Sequence, residues 1–368
     1  MQKIVLEVLK VLSFNKINLC FALILIIYFL TISFTSTAAE IRGQVVAIQM
    51  KLAINDFYSQ ENFEKKISNL MEEVANKANP ELPTLVVFPE DVGLMLIALE
   101  NQQTLSTVHT IEDAIKKMTM KHFLPLAWYR LRYNISWVPA LYYYRHKVIA
   151  ETYFKTFSSL AKKYNVYIVA GSVPLPHYKI ADGQVLYQEG AIGPQIYNTS
   201  YLFDIDGKVI GYQDKVYLLE LEQEEGLHLT PGSLEDIEIF DTNIGRLGIA
   251  VCLDGFKEDI IDRLREQKAD ILIQPSANPL PWEKWQQEEW LESSYKYTYD
   301  LQYFKYAINP MMNGDFFDLS FYGQSSVISK EKSGSEKNFN KLPPQEGFLS
   351  ISDSADKEEI LVVEIELP

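Results

Sequence analysis

Three apolar runs of this 368-residue chain are each followed by a residue that can take part in covalent chemistry. Glu90 follows the first run after Pro89, Lys215 lies just beyond the second, and Cys252 closes the third. A cysteine can attack a carbonyl carbon, a glutamate can carry protons, and a lysine can stabilise the developing oxyanion. A free cysteine has a pKa of about 8.5, and a neighbouring cation such as Lys215 would favour its thiolate. We therefore predict one site with Cys252 as nucleophile, Glu90 as base and Lys215 as stabilising cation.

The composition argues against several other classes of function. The formal net charge is −15, and an acidic chain is poorly suited to phosphate backbones, so we expect no nucleic-acid partner. The two cysteines and five histidines form no CxxC or HExxH pattern, which argues against a structural zinc site. The sequence also lacks the glycine-rich loops of nucleotide-binding proteins and the GxSxG turn of serine hydrolases. The cysteine-centred site is therefore the main functional prediction.

The spacing of apolar residues predicts an α/β domain. Residues 43–50 and 84–88 are short apolar runs typical of buried strands, and apolar residues between 63 and 74 recur at a helical spacing. Strand, helix and strand in this order indicate a βαβ unit, with Glu90 just beyond its second strand. Two hairpins, at 198–213 and 237–251, lead to the lysine and the cysteine. Further helices are predicted at 154–164, 260–264 and 282–306, and further strands at 166–170, 271–274, 321–328 and 360–365.

The N-terminal segment has the composition of a targeting signal. Residues 17–39 carry no charge, residues 17–34 are nearly all apolar, and three lysines precede them. This is typical of a secretory signal peptide or of an uncleaved signal anchor, and a buried core helix is the third alternative. Small residues at 36–39 would suit cleavage, whereas the uncharged run is long enough for a bilayer, which takes about 20 residues. We expect residues 1–39 to be the signal or anchor and residues 40–368 to fold outside the cytoplasm.

Five segments match the pattern of one known family in the right order: VVFPE at 86–90, GS at 171–172, YNTS at 197–200, GIAVC at 248–252 and QPSANP at 274–279. From about residue 43 to 366 the chain resembles the nitrilase superfamily of carbon–nitrogen hydrolases. True nitrilases of that superfamily usually carry Trp-Glu after the cysteine, whereas Leu253 and Asp254 stand here. This is closer to the amidase branch, so the resemblance favours an amide over a nitrile as substrate.

The resemblance implies a four-layer α-β-β-α sandwich and a hydrolase of small linear amides that needs no metal or organic cofactor. Glu90 would take the proton of the Cys252 thiol, and the thiolate would form a thioester with the acyl group. Lys215 and the backbone N–H of Leu253 would stabilise the oxyanion. Members of the family commonly pair, so a homodimer is expected.

The family also uses a second glutamate that supports the lysine and helps to position the substrate. Glu225 stands six residues before the Pro-Gly pair at 231–232, which is the usual spacing. Glu224 is adjacent to it, and Glu220 and Glu222 are close by. We assign the supporting role to Glu225, with these neighbours as alternatives.

Two other functions use the same scaffold. Apolipoprotein N-acyltransferase is a membrane-anchored relative that passes its thioester acyl group to an amine instead of to water. That enzyme usually has several membrane spans, whereas this chain has one candidate, which favours hydrolysis. A catalytically idle binding protein is the second alternative, and the intact set of glutamate, lysine and cysteine argues against it.

An insert at about residues 95–150 distinguishes this chain from the family pattern. The distance from Glu90 to Lys215 is 125 residues along the chain, which is longer than usual. Residues 114–150 hold seven Lys or Arg, eight aromatic residues and no Asp or Glu. Such a mixture suits contact with a membrane surface. A lid over an anionic substrate is another interpretation, and a cover packed on the body or a subunit interface is the third.

Overall fold

The computed structural model describes residues 42–334 and 336–368. The predicted signal or anchor at 1–39 therefore lies outside the described residues. No helix within the described ranges combines the length and apolar character needed to cross a membrane.

The strands are β1 Arg42–Ala53, β2 Thr84–Phe88, β3 Tyr167–Ala170, β4 Val173–Leu175, β5 Ile180–Ala181, β6 Gln184–Val185, β7 Tyr197–Phe203, β8 Val209–Asp214, β9 Ile239–Thr242, β10 Gly245–Ile249, β11 Ile271–Ile273, β12 Ser276–Ala277, β13 Tyr306–Asn309, β14 Met311–Phe316, β15 Leu319–Phe321, β16 Ser326–Ser329, β17 Phe348–Ile351 and β18 Glu359–Glu366. The α-helices are α1 Gln60–Lys77, α2 Gln102–Leu105, α3 Ile111–Lys121, α4 Phe123–Tyr133, α5 Trp137–Tyr164, α6 Glu258–Glu266 and α7 Lys284–Trp290.

The first sheet is organised around β1. On one side β1 pairs in parallel with β2, which pairs in parallel with β3. On the other side β1 pairs with antiparallel β18 along residues 42–49 and then with parallel β14 along residues 50–53. β7 closes the sheet by pairing antiparallel with β3, β4 and β8. The predicted βαβ unit is thus present as β1, α1 and β2.

The second sheet has the strand order β17-β16-β13-β11-β10-β9. Its centre is parallel, since β11 pairs in parallel with both β10 and β13. β9 and β10 form the predicted antiparallel hairpin. Cys252 therefore follows a strand next to the edge of this sheet, whereas Glu90 follows an inner strand of the first.

Alternating side chains on the strands divide the domain into four layers. In β1, Val46 and Ile48 pack with α1 and α5, whereas Val45 and Ala47 belong to the core that the second sheet completes. On β10, a Cβ added at Gly248 would lie 3.0 Å from Leu264 of α6, so helices also cover the outer face of the second sheet. The predicted α-β-β-α sandwich is confirmed.

Two predicted elements were wrong. The predicted helix at 282–306 comprises α7 and a wider π-helical stretch, Leu291–Asp300, with non-helical angles at Ser293. Its last predicted residue, Tyr306, instead begins β13. The predicted strand at 321–328 is divided between β15 in the first sheet and β16 in the second. Between them the chain crosses from one sheet to the other, and the Ser325 N–H donates to the side chain of Gln49 at 2.7 Å.

The insert forms α2, α3, α4 and the first half of α5. Arg145 of α5 donates to the carbonyl oxygen of Leu99 at 2.5 Å and lies 3.7 Å from the Glu100 carboxylate, which ties α5 to the start of the insert. By contrast, α4 buries only Leu126. Its outer face exposes three large apolar side chains at helical spacing: Leu124 (80%), Trp128 (53%) and Leu131 (87%).

Candidate active site

The structure brings Glu90, Lys215 and Cys252 together at the ends of strands from both sheets. Glu90 lies two residues after β2, and Lys215 directly follows β8. Cys252 lies three residues after β10. The Lys215 ammonium lies 2.7 Å from Oε1 of Glu90. The Cys252 thiol donates to the carbonyl oxygen of Ala277 at 3.8 Å and lies beside the same carboxylate. All three side chains are buried and line one cavity.

Three donors fix the orientation of the Glu90 carboxylate. Its Oε1 accepts from Lys215 Nζ at 2.7 Å and from Asn198 Nδ2 at 3.1 Å. Its Oε2 accepts from the backbone N–H of Ala277 at 3.1 Å. Because the carboxylate is held on both oxygens, it faces the thiol in a defined orientation.

The second glutamate is Glu222 and not Glu225. Oε2 of Glu222 accepts from Lys215 Nζ at 2.6 Å and from the Leu219 N–H at 2.9 Å. Its Oε1 accepts from Asn198 Nδ2 at 3.0 Å. Glu225 is exposed. A short 3-10 turn, Glu220–Glu222, directs the side chain of Glu222 into the site. The spacing to the Pro-Gly pair does not show which glutamate of this acidic loop points inward.

Lys215 is a buried cation shared by two carboxylates. Burial alone would lower the pKa of Lys215, but Glu90 and Glu222 raise that pKa well above its usual value. Burial raises the pKa of Glu90, while the charge of Lys215 opposes this effect. The lysine is therefore a fixed positive charge at neutral pH.

The Cys252 thiol differs from its sequence-based expectation. Burial, followed by the negative charge of Glu90, raises the pKa of Cys252 well above the usual value, and Lys215 opposes this only in part. At neutral pH the resting group is thus a protonated thiol, with the carboxylate of Glu90 beside it. The backbone of Cys252 is left-handed (φ 50°), and the Gln274 side chain donates to its carbonyl oxygen at 2.9 Å. These features place the thiol at a sharp turn between β10 and a 3-10 helix.

Asp254 connects the turn at Cys252 to the residues that follow Lys215, a contact that the sequence did not reveal. Its Oδ2 accepts from the Val216 N–H at 3.0 Å and its Oδ1 from the Tyr217 N–H at 2.8 Å. Burial raises the pKa of Asp254 to about 7. Its place two residues after the cysteine is the available signal, which the family resemblance interprets only as a mark of the amidase branch.

The three side chains open into a cavity of about 520 Å³. Leu253, whose backbone N–H is the predicted oxyanion donor, lines this cavity beside the cysteine. Asp91 lines it as well, and burial raises the pKa of Asp91 well above its ordinary value. The described residues contain no group of three or more side chains placed to hold a metal ion. The remaining lining side chains include Leu94, Leu219, Glu220, Leu221, Leu227, Phe256, Lys257, Asn278, Pro279, Leu280, Gln286, Glu289, Trp290 and Phe321.

Comparisons with known proteins agree with this fold. Residues 47–332 match the model of the carbon–nitrogen hydrolase family. An omega-amidase of Saccharomyces cerevisiae is 29% identical over 143 residues, which cover 36% of this chain and 44% of that protein. The chloroplastic omega-amidase of Arabidopsis thaliana is 24% identical over 239 residues, 60% of each chain. The matched parts thus span less than two thirds of these curated relatives.

Solved structures share the fold at low sequence identity. The carbon–nitrogen hydrolase from Helicobacter pylori superposes with a TM-score of 0.55 at 20% identity, covering 89% of this chain and 90% of that one. An amidase from Nesterenkonia sp. superposes with a TM-score of 0.53 at 14% identity, covering 88% and 90%. Because the family model covers most of the sequence, the chain belongs to the carbon–nitrogen hydrolase family.

Proposed function

We propose that this protein hydrolyses the carbon–nitrogen bond of small linear amides through a thioester on Cys252. The observation that carries the proposal is the buried array in which Lys215 lies between Glu90 and Glu222, beside the thiol. Such an array supplies a proton acceptor, a fixed cation and a nucleophile within one cavity. The omega-amidases and amidases among the similar proteins support an amide as substrate.

In the first half of the reaction, Glu90 takes the thiol proton while the sulfur of Cys252 attacks the amide carbon. The negative charge that develops on the carbonyl oxygen is stabilised by the Lys215 ammonium and the Leu253 N–H. The carbon–nitrogen bond then breaks, and Glu90 returns its proton to the departing nitrogen. The products are ammonia or an amine and an acyl group bound to Cys252 as a thioester.

In the second half, water replaces the amine. Glu90 accepts a proton from the water as its oxygen attacks the thioester carbon. The carbon–sulfur bond breaks, Glu90 returns the proton to the sulfur, and the carboxylic acid leaves. Glu222 holds Lys215 in place through both halves and does not exchange protons.

The test is amide turnover by the purified protein and its Cys252→Ala variant. We expect release of ammonia and acid from simple aliphatic amides by the wild type and none by the variant, with unchanged circular dichroism. Hydroxylamine added as a competing acceptor shows whether the acyl group passes to water or to an amine. Full activity in the Cys252→Ala variant would contradict the proposal, and formation of amide products alone would favour the acyltransferase.

We further propose that the domain acts outside the cytoplasm. The support is the uncharged run of residues 17–39 behind three lysines. A green fluorescent protein fused after Pro368 should stay dark when it is exported by the general secretory route. A bright fusion would contradict this location.

Contact with a membrane surface through residues 114–150 is also a proposal. Support comes from the exposed apolar face of α4, formed by Leu124, Trp128 and Leu131, and from the exposed Arg132 and Lys147 nearby in the sequence. Each basic residue near an anionic surface adds roughly 1 kcal/mol. Arg145 is unsuited to lipid contact, because its side chain is only 10% exposed and donates to the carbonyl oxygen of Leu99.

Residues 40–368 should co-sediment with anionic liposomes, less strongly in high salt. Arg132→Gln with Lys147→Gln should weaken sedimentation, whereas the matched pair Lys162→Gln and Lys163→Gln, beyond the insert on α5, should not. Light scattering measures the mass in solution and tests the expected homodimer. A dimer that ignores liposomes even at low salt would instead indicate that α4 is covered by a second copy.

A further inference from the structure

A second, apolar pocket lies between the insert and the body of the domain. It has a volume of about 50 Å³. Its one lining side chain with a polar group is Tyr142, whose hydroxyl donates to the carbonyl oxygen of Leu94 at 3.1 Å. The lining residues are Leu94, Met95, Ile97, Leu105, Ile111, Ala114, Ile115, Met118, Val138, Leu141, Tyr142, Leu221, Leu227 and Leu319. We call this space the insert pocket.

The insert pocket adjoins the catalytic cavity. Leu94, Leu221 and Leu227 line both spaces. Leu94 lies four residues after the proposed base, and Leu221 directly precedes Glu222, the partner of the lysine. These three leucines therefore form the boundary between the two spaces, on one side of the catalytic cavity.

The two spaces differ in polarity. An apolar cavity of this kind excludes water and accepts apolar ligands. The catalytic cavity carries the acidic side chains of Glu220 and Glu289 beyond the array itself. Two lysines line the catalytic cavity. Lys215 is already paired with two carboxylates, so Lys257 is the lysine that could pair with a substrate carboxylate. An acyl group ending in a carboxylate would meet mostly like charges, whereas a hydrocarbon chain would meet apolar walls in the insert pocket.

We propose that the insert pocket is an acyl-chain subsite, so that the preferred substrates are amides of straight-chain aliphatic acids. This inference rests on the proposed amidase function and specifies its substrate class. Helix α3 and the start of α5, which belong to the insert, supply half of the wall. The insert thus determines substrate specificity. Burial of the acyl chain in this apolar pocket removes it from water, and this burial stabilises the transition state.

The test is a series of primary amides from acetamide to decanamide. For the wild type, kcat/KM should rise about fourfold for each methylene buried, until the pocket is filled, and then level off or fall. Ala114→Leu fills the pocket and should remove this rise, so that kcat/KM no longer depends on chain length. The matched control is Ala127→Leu on α4, where the residue lies outside the pocket wall and should leave the dependence on chain length unchanged.

Met118→Ala provides a second variant if the leucine prevents folding. It enlarges the pocket and should move the optimum to longer chains. Equal kcat/KM for all chain lengths in the wild type, or an unchanged series in both pocket variants, would overturn the subsite while leaving amide hydrolysis intact. Absence of turnover with every amide, including acetamide, would instead refute the proposed function.

Discussion

Replacing Glu222 by glutamine tests the lysine array without a change in side-chain volume. Three donors point at the Glu222 carboxylate: Lys215 Nζ at 2.6 Å, the Leu219 N–H at 2.9 Å and Asn198 Nδ2 at 3.0 Å. A carboxamide has one acceptor oxygen, so in the Glu222→Gln variant its NH₂ group must face at least one of these donors. Lys215 would then keep Glu90 as its one charged partner and lose its fixed position.

The expected loss of kcat/KM follows from the hydrogen bond that the Glu222→Gln variant loses. A hydrogen bond to a charged group contributes about 1.5–3 kcal/mol, which corresponds to about a 10- to 150-fold loss of kcat/KM if it is realised in the transition state. The variant should also change the pH dependence. The charge of Glu222 raises the pKa of Glu90, so its removal lowers that pKa. Since Glu90 acts as a base, the acidic limb of kcat/KM should move to lower pH.

The assay is ammonia release from an aliphatic amide across the pH range, with Glu225→Gln as the matched control. Glu225 carries the same charge in the same loop but is exposed. The control should stay within about twofold of wild type and keep the wild-type pH profile. If the two variants behave alike, or if Glu225→Gln is the more damaging, the assignment of Glu222 to the lysine is refuted.

Three further predictions concern neighbouring groups. Glu90→Gln and Lys215→Ala should each lower kcat by at least about 100-fold, measured on folded protein, because a base or an oxyanion donor is removed; a loss of only a few-fold would exclude a catalytic role. Iodoacetamide should label Cys252 more slowly than free cysteine at pH 7 and faster as the pH rises, because its pKa is raised; rapid labelling at neutral pH would contradict this. The pKa of Asp254 is about 7 in the folded protein, against an ordinary value of 3.8. Between these pH values the folded protein binds more protons than the unfolded protein, so the contribution of Asp254 to the free energy of unfolding falls as the pH rises from 4 to 7. Asp254→Asn should remove that part of the pH dependence of the melting temperature, and an unchanged slope would refute the shift.

The strand ends were the most predictable part of this protein. Apolar runs followed by proline or a polar residue identified β2 and β10, and with them the places of Glu90 and Cys252. The sheet crossing between β15 and β16 was not predictable, because the residues at 321–328 form one continuous strand-like pattern. Its division depends on hydrogen bonds to distant segments, such as that from Ser325 to Gln49.

The site shows the same division between local and tertiary information. Residue types and their order predicted the glutamate, the lysine and the cysteine. The choice of Glu222 over Glu225 depends on a three-residue turn whose direction the spacing does not encode. The protonated state of Cys252 was also missed, because it arises from burial and from the proximity of Glu90, which only the packed structure supplies.

The central claim is that Cys252 carries the acyl group during amide hydrolysis. Intact-mass spectrometry of protein quenched in acid during turnover tests this most directly. We expect a mass increase equal to the acyl group of the amide, located by peptide mapping at Cys252 and absent from the Cys252→Ala variant. Release of ammonia with no adduct at any quench time, or an adduct on another residue, would contradict it.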